Sequence, residues 1–201
     1  MQPFTVHSGT IAVLNQDNVD TDRIIPARFL SMVTKSGYGE LLFHDVREEG
    51  FPLDQPEAKG ASILVVGNNF GCGSSREHAV WSIQQAGFRC VIAKALPDSA
   101  AYSDIFRQNS ANCGMLLIEL EESAHEALVK AGSGAQITID LDAQTVVLDG
   151  NAYSFPINPV TKDALLKGLD LIGTTLTMDA EISAYEKTSK AYVPTGPGGQ
   201  A

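Results

Sequence analysis

Residues 67–87 read GNNFGCGSSREHAVWSIQQAG and directly follow the apolar run SILVV at residues 62–66. The apolar run predicts a buried β-strand, and the glycine-rich stretch predicts a turn that opens a helix. Ser74 and Glu77 have the spacing of a capping box, so the helix is predicted to begin at the Ser74–Ser75 pair. A glycine-rich turn at a helix N-terminus presents backbone N–H groups and the positive end of the helix dipole. The stretch therefore predicts a site for an anion such as a carboxylate.

The chain on either side predicts a mixed α/β fold. Apolar runs predict strands at residues 11–14, 90–93 and 115–118, and helices are predicted at 75–86, between 98 and 108, and at 123–130. The strand–helix–strand unit around the glycine-rich turn implies a right-handed parallel crossover. Residues 136–141 and 145–148 alternate with period two and predict a hairpin, to which 153–155 adds a third strand. Two further helices are expected around residues 162–167 and 178–187.

The chain of 201 residues is long enough for one well-formed core and short for two full domains. We therefore predict a single domain over residues 1–189. The last residues, 190–201, are rich in Gly and Pro and predict a flexible tail.

The charge balance excludes several classes of partner. Lys and Arg number 14 against 24 Asp and Glu, a net charge of −10, which argues against nucleic acid and anionic membranes. No segment has the roughly 18 uninterrupted apolar residues of a membrane span, and the N-terminus lacks the pattern of a secretory signal. A cytoplasmic protein is the expectation. A positive pocket for an anionic substrate has to come from a few residues, and Arg23, Arg28, Lys35 and Arg76 lie near the motifs.

The cysteines do not form a recognisable ligand set. Cys72, Cys90 and Cys113 contain no Cys-x-x-Cys pair, which argues against a disulfide framework and against a zinc or iron–sulfur site within this chain. Cys90 begins an apolar run and is expected in the core. Cys72 lies in the glycine-rich turn, where a nucleophilic role is the less favoured interpretation.

Two more segments are dense in polar residues. Residues 18–26 read NVDTDRIIP, and their acids suggest either calcium binding or a polar turn in which Asp side chains bond the nearby backbone. An EF-hand starting at Asp20 fails, because Ile24 stands at the fifth position and Ser31 at the twelfth. Residues 104–117 read DIFRQNSANCGMLL, in which residues 109–114 predict a helix C-terminus and a turn before a strand.

Together these three segments, in this order and at this chain length, resemble the small subunits of 3-isopropylmalate dehydratases, the swivel domain of the aconitase superfamily. The resemblance covers nearly the whole chain. It implies an α/β swivel architecture, a central, partly parallel sheet or barrel flanked by helices. It also implies a hydro-lyase of leucine biosynthesis, which interconverts 2- and 3-isopropylmalate through 2-isopropylmaleate.

The family's functional residues transfer onto matching positions. The resemblance implies that Ser74 is the catalytic base, that Arg76 binds a substrate carboxylate, and that Ser75 contributes a hydroxyl or backbone N–H to the substrate. It also implies that Asp22 acts near the serine.

Further positions carry less specific roles. Arg28, Met32, Val33 and Thr34 become candidates for the substrate side-chain pocket, and Gly73, His78 and Asn112 for orienting the loop. His78 is expected to act by hydrogen bonding rather than by direct proton transfer.

The family also implies a partner. Its [4Fe–4S] cluster resides on the large subunit, so this chain is expected to bind no cofactor and to be active only with that subunit, on a small-molecule diacid.

Two departures from the family leave alternatives open. Residues 94–104 form a link several residues longer than usual, and Gly67-Asn68-Asn69 differs from commoner choices. Both leave room for a paralogous hydro-lyase that acts on a methylmalate/citraconate-type or dimethylmaleate-type diacid. A non-catalytic module that binds a carboxylate or phosphate is the alternative from another class.

Overall fold

The computed structural model describes residues 1–32 and 34–188. The strands are β1 (Val6–Leu14), β2 (Ile63–Val66), β3 (Cys90–Ala95), β4 (Leu116–Glu121), β5 (Gln136–Asp140), β6 (Thr145–Leu148) and β7 (Asn151–Ser154). The helices are α1 (Thr21–Ile24), α2 (Glu77–Gln85), α3 (Asp104–Cys113), α4 (Glu122–Ala131), α5 (Pro159–Lys167), α6 (Leu171–Leu176) and α7 (Asp179–Thr188). Short 3₁₀ turns occur at Ala27–Ser31, Gly39–Leu41, Pro52–Asp54 and Pro56–Ala58.

The strands form one mixed sheet in the order β4-β3-β2-β1-β5-β6-β7. Strands β1 to β4 pair in parallel, and we call them the parallel half; β5 to β7, the antiparallel half, join through the antiparallel pairing of β1 with β5. Glu119 and Glu121 of β4 line the same cavity as Ser154 of β7, so the two edges of the sheet approach each other. This nearly closed α/β sheet confirms the predicted fold class, the parallel crossover and the hairpin.

Strand β2 is apolar throughout because both faces of the sheet are covered there. Leu64 and Val66 pack into one core beneath α2 and α3, and Ile63 and Val65 pack into a second core with residues of the antiparallel half. In β5, by contrast, buried Ile137 and Ile139 alternate with half-exposed or exposed neighbours. A strand with one covered face needs apolar residues only at every second position.

The second predicted helix is present but begins and ends later than predicted. Helix α3 spans Asp104–Cys113 rather than the stretch between residues 98 and 108. Its N-cap is Ser103, whose hydroxyl accepts from the Phe106 backbone N–H, and Gly114 follows it with φ +78°. Residues 96–103 form a turn and isolated bridges instead, and hydrogen bonds join them to the glycine-rich loop.

The chain forms two compact units, one from Met1 to Asp170 and a second that begins at Leu171. The first contains the sheet and α1 to α5. The second contains α6 and α7, in which none of the described residues is buried. The single domain over residues 1–189 therefore stays a prediction, and the predicted tail at 190–201 lies outside the described residues. Within the described ranges, the helices are all too short or too polar to cross a membrane.

Candidate active site

Three connecting segments meet at the carboxyl edge of the parallel half. Residues 15–20 follow β1, the glycine-rich loop (residues 67–76) follows β2, and residues 96–103 follow β3. Because β1, β2 and β3 run in parallel, their following loops emerge at the same edge of the sheet. The topology thus gathers the predicted motifs at one place.

Hydrogen bonds to the first segment and to Thr21, the first residue of α1, hold the glycine-rich loop. The Gly71 N–H donates to the Val19 carbonyl oxygen (2.8 Å), and the Thr21 N–H donates to the Cys72 carbonyl oxygen (2.9 Å). The Thr21 hydroxyl donates to the Ser74 carbonyl oxygen (2.9 Å). Thr21 is buried and is a residue that sequence reasoning missed, because only the fold reveals that it contacts the loop.

Two glycines are required by the loop's shape. Gly71 has φ +73°, and a Cβ at that position would overlap the Phe106 ring. Gly73 has φ +89°, a backbone conformation that side chains disfavour. The loop-orienting role predicted for Gly73 stays a prediction, but its conformation accounts for the residue type.

The predicted capping box is wrong. Helix α2 begins at Glu77, and Arg76 occupies the N-cap position with no side-chain cap bond. Ser74 and Ser75 lie in the exposed loop before the helix. Because Glu77 is the first residue of the helix, Ser74 stands two residues before the N-cap, and the Glu77 carboxylate instead accepts from the Cys113 thiol (3.3 Å).

Asp22 and Arg76 form an ion pair, which joins the polar segment at residues 18–26 to the glycine-rich loop. The Arg76 side chain is 12% exposed and the Asp22 side chain is 55% exposed. The same guanidinium also donates to the Ile25 carbonyl oxygen (3.4 Å). The guanidinium is therefore anchored on its protein side, and the carboxylate that it binds in this structure belongs to Asp22.

The neighbouring acidic side chains accept hydrogen bonds from backbone N–H groups. Asp20 caps α1 by accepting from the Arg23 N–H (2.8 Å), and Asp17 accepts from the Asn68 N–H (2.7 Å). These contacts confirm the polar-turn interpretation. Among the described residues, no group of three His, Cys, Asp or Glu side chains is arranged to hold a metal ion.

The pocket candidates lie on the segment after α1. Arg28 pairs with Asp45 and stacks over the Phe29 ring at 4.5 Å, and this pairing holds the pKa of Asp45 well below its usual range. Met32 is partly exposed, with its methyl group near Gly37. The Thr34 hydroxyl donates to the Ser36 carbonyl oxygen (3.2 Å). Val33 lies outside the described residues.

His78 packs against two aromatic rings. It lies 5.4 Å from Tyr38 and 4.6 Å from Trp81, measured between ring centroids. Asn112 lies in the last turn of α3, next to Cys113, whose thiol bonds Glu77. His78 therefore belongs to α2, the helix that follows the loop, and Asn112 neighbours a residue that bonds to that helix.

The cysteine environments favour neutral thiols. Burial and the nearby Asp20 raise the pKa of Cys72. Burial and the bond to Glu77 raise the pKa of Cys113 to about 12, and Cys90 is fully buried with a strongly raised pKa. Since the thiolate is the nucleophilic form of cysteine, these environments do not activate the three thiols as nucleophiles.

Comparison with known proteins accords with the motifs. The sequence model of the aconitase C-terminal domain matches residues 1–123, and a second model, LeuD_N, matches residues 126–159. The chain is 42% identical to a 3-isopropylmalate dehydratase small subunit of Bacillus cereus (strain AH820) over 199 residues, covering 96% of this chain and 100% of that protein. A Bacillus anthracis protein of the same name is also 42% identical with the same coverage.

A solved structure is similar as well. The crystal structure of a 3-isopropylmalate dehydratase from Methanocaldococcus jannaschii has a TM-score of 0.63 and 28% sequence identity. The match covers 90% of this chain and 99% of that one.

Proposed function

Because the chain belongs to the family of 3-isopropylmalate dehydratase small subunits, which contain an aconitase C-terminal domain, we propose that it is one half of such a hydro-lyase. In this proposal it acts in leucine biosynthesis and interconverts 2- and 3-isopropylmalate through 2-isopropylmaleate. Water is lost as a proton from one carbon and a hydroxyl from its neighbour. Rehydration returns the hydroxyl to the carbon that lost the proton.

The observation that supports this proposal best is the meeting of two distant motifs. Thr21 bonds the carbonyl of Ser74, and the next residue, Asp22, pairs with Arg76. A candidate base and a candidate carboxylate ligand thus stand together on one exposed loop, next to an acid. This is the composition that proton abstraction from a small hydroxy diacid requires.

Ser74 is proposed to take the substrate proton. A serine hydroxyl is a weak base in water, and N–H donors that stabilise its alkoxide make the transfer easier. The loop precedes helix α2, whose first N–H groups and dipole favour negative charge nearby. Ser75 is proposed to bind the substrate through its hydroxyl or N–H.

Arg76 is proposed to bind a substrate carboxylate bidentately. In the structure its guanidinium is paired with Asp22, so an incoming carboxylate has to displace or share that partner. Asp22 is proposed to act in the proton transfer beside Ser74. The Asp22→Asn variant is then expected to lower kcat; a lowered KM with unchanged kcat would instead assign Asp22 to screening Arg76.

Specificity for the isopropyl group is assigned to the segment around Arg28, Met32, Val33 and Thr34. The partly exposed Met32 provides apolar surface, and Arg28 is already neutralised by Asp45. A substrate with a third carboxylate would need another cation, whereas a branched apolar group needs apolar contacts.

The partner is proposed to be the large subunit, which holds the [4Fe–4S] cluster. The chemistry assigned here to this chain's own residues is substrate binding and proton transfer. The exposure of Ser74 and Ser75 agrees with a site that a second chain covers.

The test is reconstitution with the anaerobically prepared large subunit. Formation of 2-isopropylmaleate from 3-isopropylmalate is followed by the absorbance of the unsaturated acid. Turnover that requires both chains is the expected result. A cluster-loaded complex that is silent on isopropylmalate but active on methylmalate would contradict the substrate, and the lack of any complex would contradict the partner.

A further inference from the structure

Asn68 and the link over residues 94–104 contact each other in the structure. Asn68 follows β2, and residues 96–103, which we call the clamp segment, follow β3 within the longer link. The two lie more than twenty residues apart in sequence, so their contact is a property of the fold alone.

Asn68 is a buried polar residue, 4% exposed, and its amide bonds to the longer link. Its Nδ2 donates to the Lys94 carbonyl oxygen (2.9 Å) and to the Ser99 carbonyl oxygen (3.4 Å). Its Oδ1 accepts from the Ser99 hydroxyl (2.6 Å). The Ser99 hydroxyl therefore orients the amide so that Nδ2 faces the two carbonyl groups.

The backbone of Asn68 bonds in another direction. Its N–H donates to the Asp17 carboxylate (2.7 Å), and its carbonyl oxygen accepts from the Asn18 N–H (2.9 Å). Asn68 thus connects the segment after β1, the glycine-rich loop and the clamp segment. Buried amides with every group bonded fix the geometry of the segments that they join.

The rest of the clamp segment forms two more hydrogen bonds with the glycine-rich loop. The Phe70 N–H donates to the Ala101 carbonyl oxygen (2.9 Å), and the Ser103 hydroxyl donates to the Gly71 carbonyl oxygen (2.7 Å). Tyr102 anchors the segment to the sheet, because its buried hydroxyl donates to the carbonyl oxygens of Val91 and Ile118 (2.8 and 2.9 Å). The clamp segment, itself bonded to the sheet, therefore holds the first residues of the glycine-rich loop in place.

From these contacts we infer that Asn68 and Ser99 are a positioning pair that sets the geometry of the loop bearing Ser74 and Arg76. The inference rests on the proposed function for its link to turnover. Ser74 itself is exposed, so its position depends on how the first residues of the loop are held. Neither residue touches the substrate; both act through the loop backbone.

The test compares the variants Asn68→Ala, Ser99→Ala and their combination, with Asp98→Ala as the control at an exposed neighbouring position. Amide hydrogen exchange is measured on the full chain, and kcat and KM are measured on the complex with the large subunit. Asn68→Ala is expected to speed exchange at residues 70–76 and to lower kcat roughly tenfold, with KM changed less than about twofold. Ser99→Ala is expected to give a smaller loss, and the double variant to resemble Asn68→Ala because the pair is coupled.

Unchanged exchange at residues 70–76, or additive effects of the two substitutions, would overturn the inference. So would a lowered melting temperature with unchanged kcat, which describes a merely structural role. If Asn68→Ala fails to fold, the exposed Ser99→Ala decides the outcome. If the wild-type complex lacks turnover, the proposed function fails, and the exchange rates alone decide on the pair.

Discussion

The two halves of the sheet differ in what their connections can build. In the parallel half, the strands are joined through long crossovers, and the segments after β1, β2 and β3 meet at one edge. In the antiparallel half, β5, β6 and β7 are joined by tight turns, with left-handed backbone at Gln144, Asp149 and Gly150. Parallel strands require crossovers, whereas antiparallel strands can be joined by a two-residue turn. The site therefore forms where the topology makes loops long and adjacent.

The halves also differ in how their polar groups are satisfied. The turn after β5 is closed locally, because Asp140 accepts from the Ala143 N–H (2.9 Å). The glycine-rich loop depends on residues far away in sequence, among them Asp17, Thr21 and Ser103. Substitutions in the two halves should consequently have different effects, which the following predictions test in order of decreasing size.

The largest effect is expected at the candidate base. Ser74→Ala should lower kcat by about 1,000-fold or more, because the base is lost, while the amount of complex stays the same. Ser154→Ala, an exposed serine of β7, is the matched control and should leave kcat unchanged. Steady-state kinetics at equal complex concentration measures both; near-normal turnover of the Ser74 variant would remove it as the base.

The next effect concerns the ion pairs. Arg76→Lys should lower kcat/KM roughly 10- to 100-fold, because Lys keeps the charge but not the bidentate geometry. Beside the antiparallel half, Lys162 of α5 pairs with Asp142 in the turn between β5 and β6 (3.7 Å), and Lys162→Gln should leave kcat/KM unchanged. Equal kinetic losses in both variants would contradict the division between the halves.

The free energy of unfolding should show the opposite order, with the larger loss in the antiparallel half and the smaller loss at the loop. Ile139→Ala removes a fully buried side chain of β5 and should lower the free energy of unfolding by about 2–5 kcal/mol, with kcat per folded complex unchanged. Thr21→Val removes the bond to the Ser74 carbonyl, which is worth about 1 kcal/mol, and should lower kcat more than it lowers stability. Denaturant unfolding together with kinetics separates the two; a Thr21 variant with full kcat would count against its support of the loop.

The smallest expected effect is a pH dependence of stability that arises from His125, which contacts the end of β2 just before the loop. Burial is the main cause that lowers the pKa of His125, whose Nε2–H donates to the Val66 carbonyl oxygen (2.6 Å). The unfolded chain then binds a proton near pH 6.5 that the folded chain does not, so stability is full above that pH and falls as the pH drops below it. His125→Gln should flatten this slope.

Unfolding at several pH values between about 5 and 8 measures the slope. His7, whose pKa is also lowered, mainly by burial, titrates in the same window, so His7→Gln is the companion variant. Equal slopes in wild type and His125→Gln would contradict the assignment to His125.

The sequence predicted most elements but misplaced two helix starts. Apolar runs and period-two alternation located the strands, because burial on one or both faces leaves a direct trace in the residue pattern. The capping box at Ser74 failed because the glycine-rich loop continues to Arg76, and helix α2 begins only at Glu77. The helix predicted between residues 98 and 108 begins only at Asp104, because the clamp segment before it bonds to the glycine-rich loop. The catalytic and binding roles of the site residues stay predictions.

By itself the sequence determined the alternation of elements, the glycine-rich loop after a buried strand, and the family resemblance that the comparisons confirm. Those features depend on local conformational preference and on apolar periodicity, which neighbouring residues decide. Only the tertiary structure decided that Thr21 holds Ser74, that Asp22 pairs with Arg76, and that Asn68 contacts the clamp segment. These are long-range hydrogen bonds and ion pairs, and their partners are set by which strands lie side by side in the sheet.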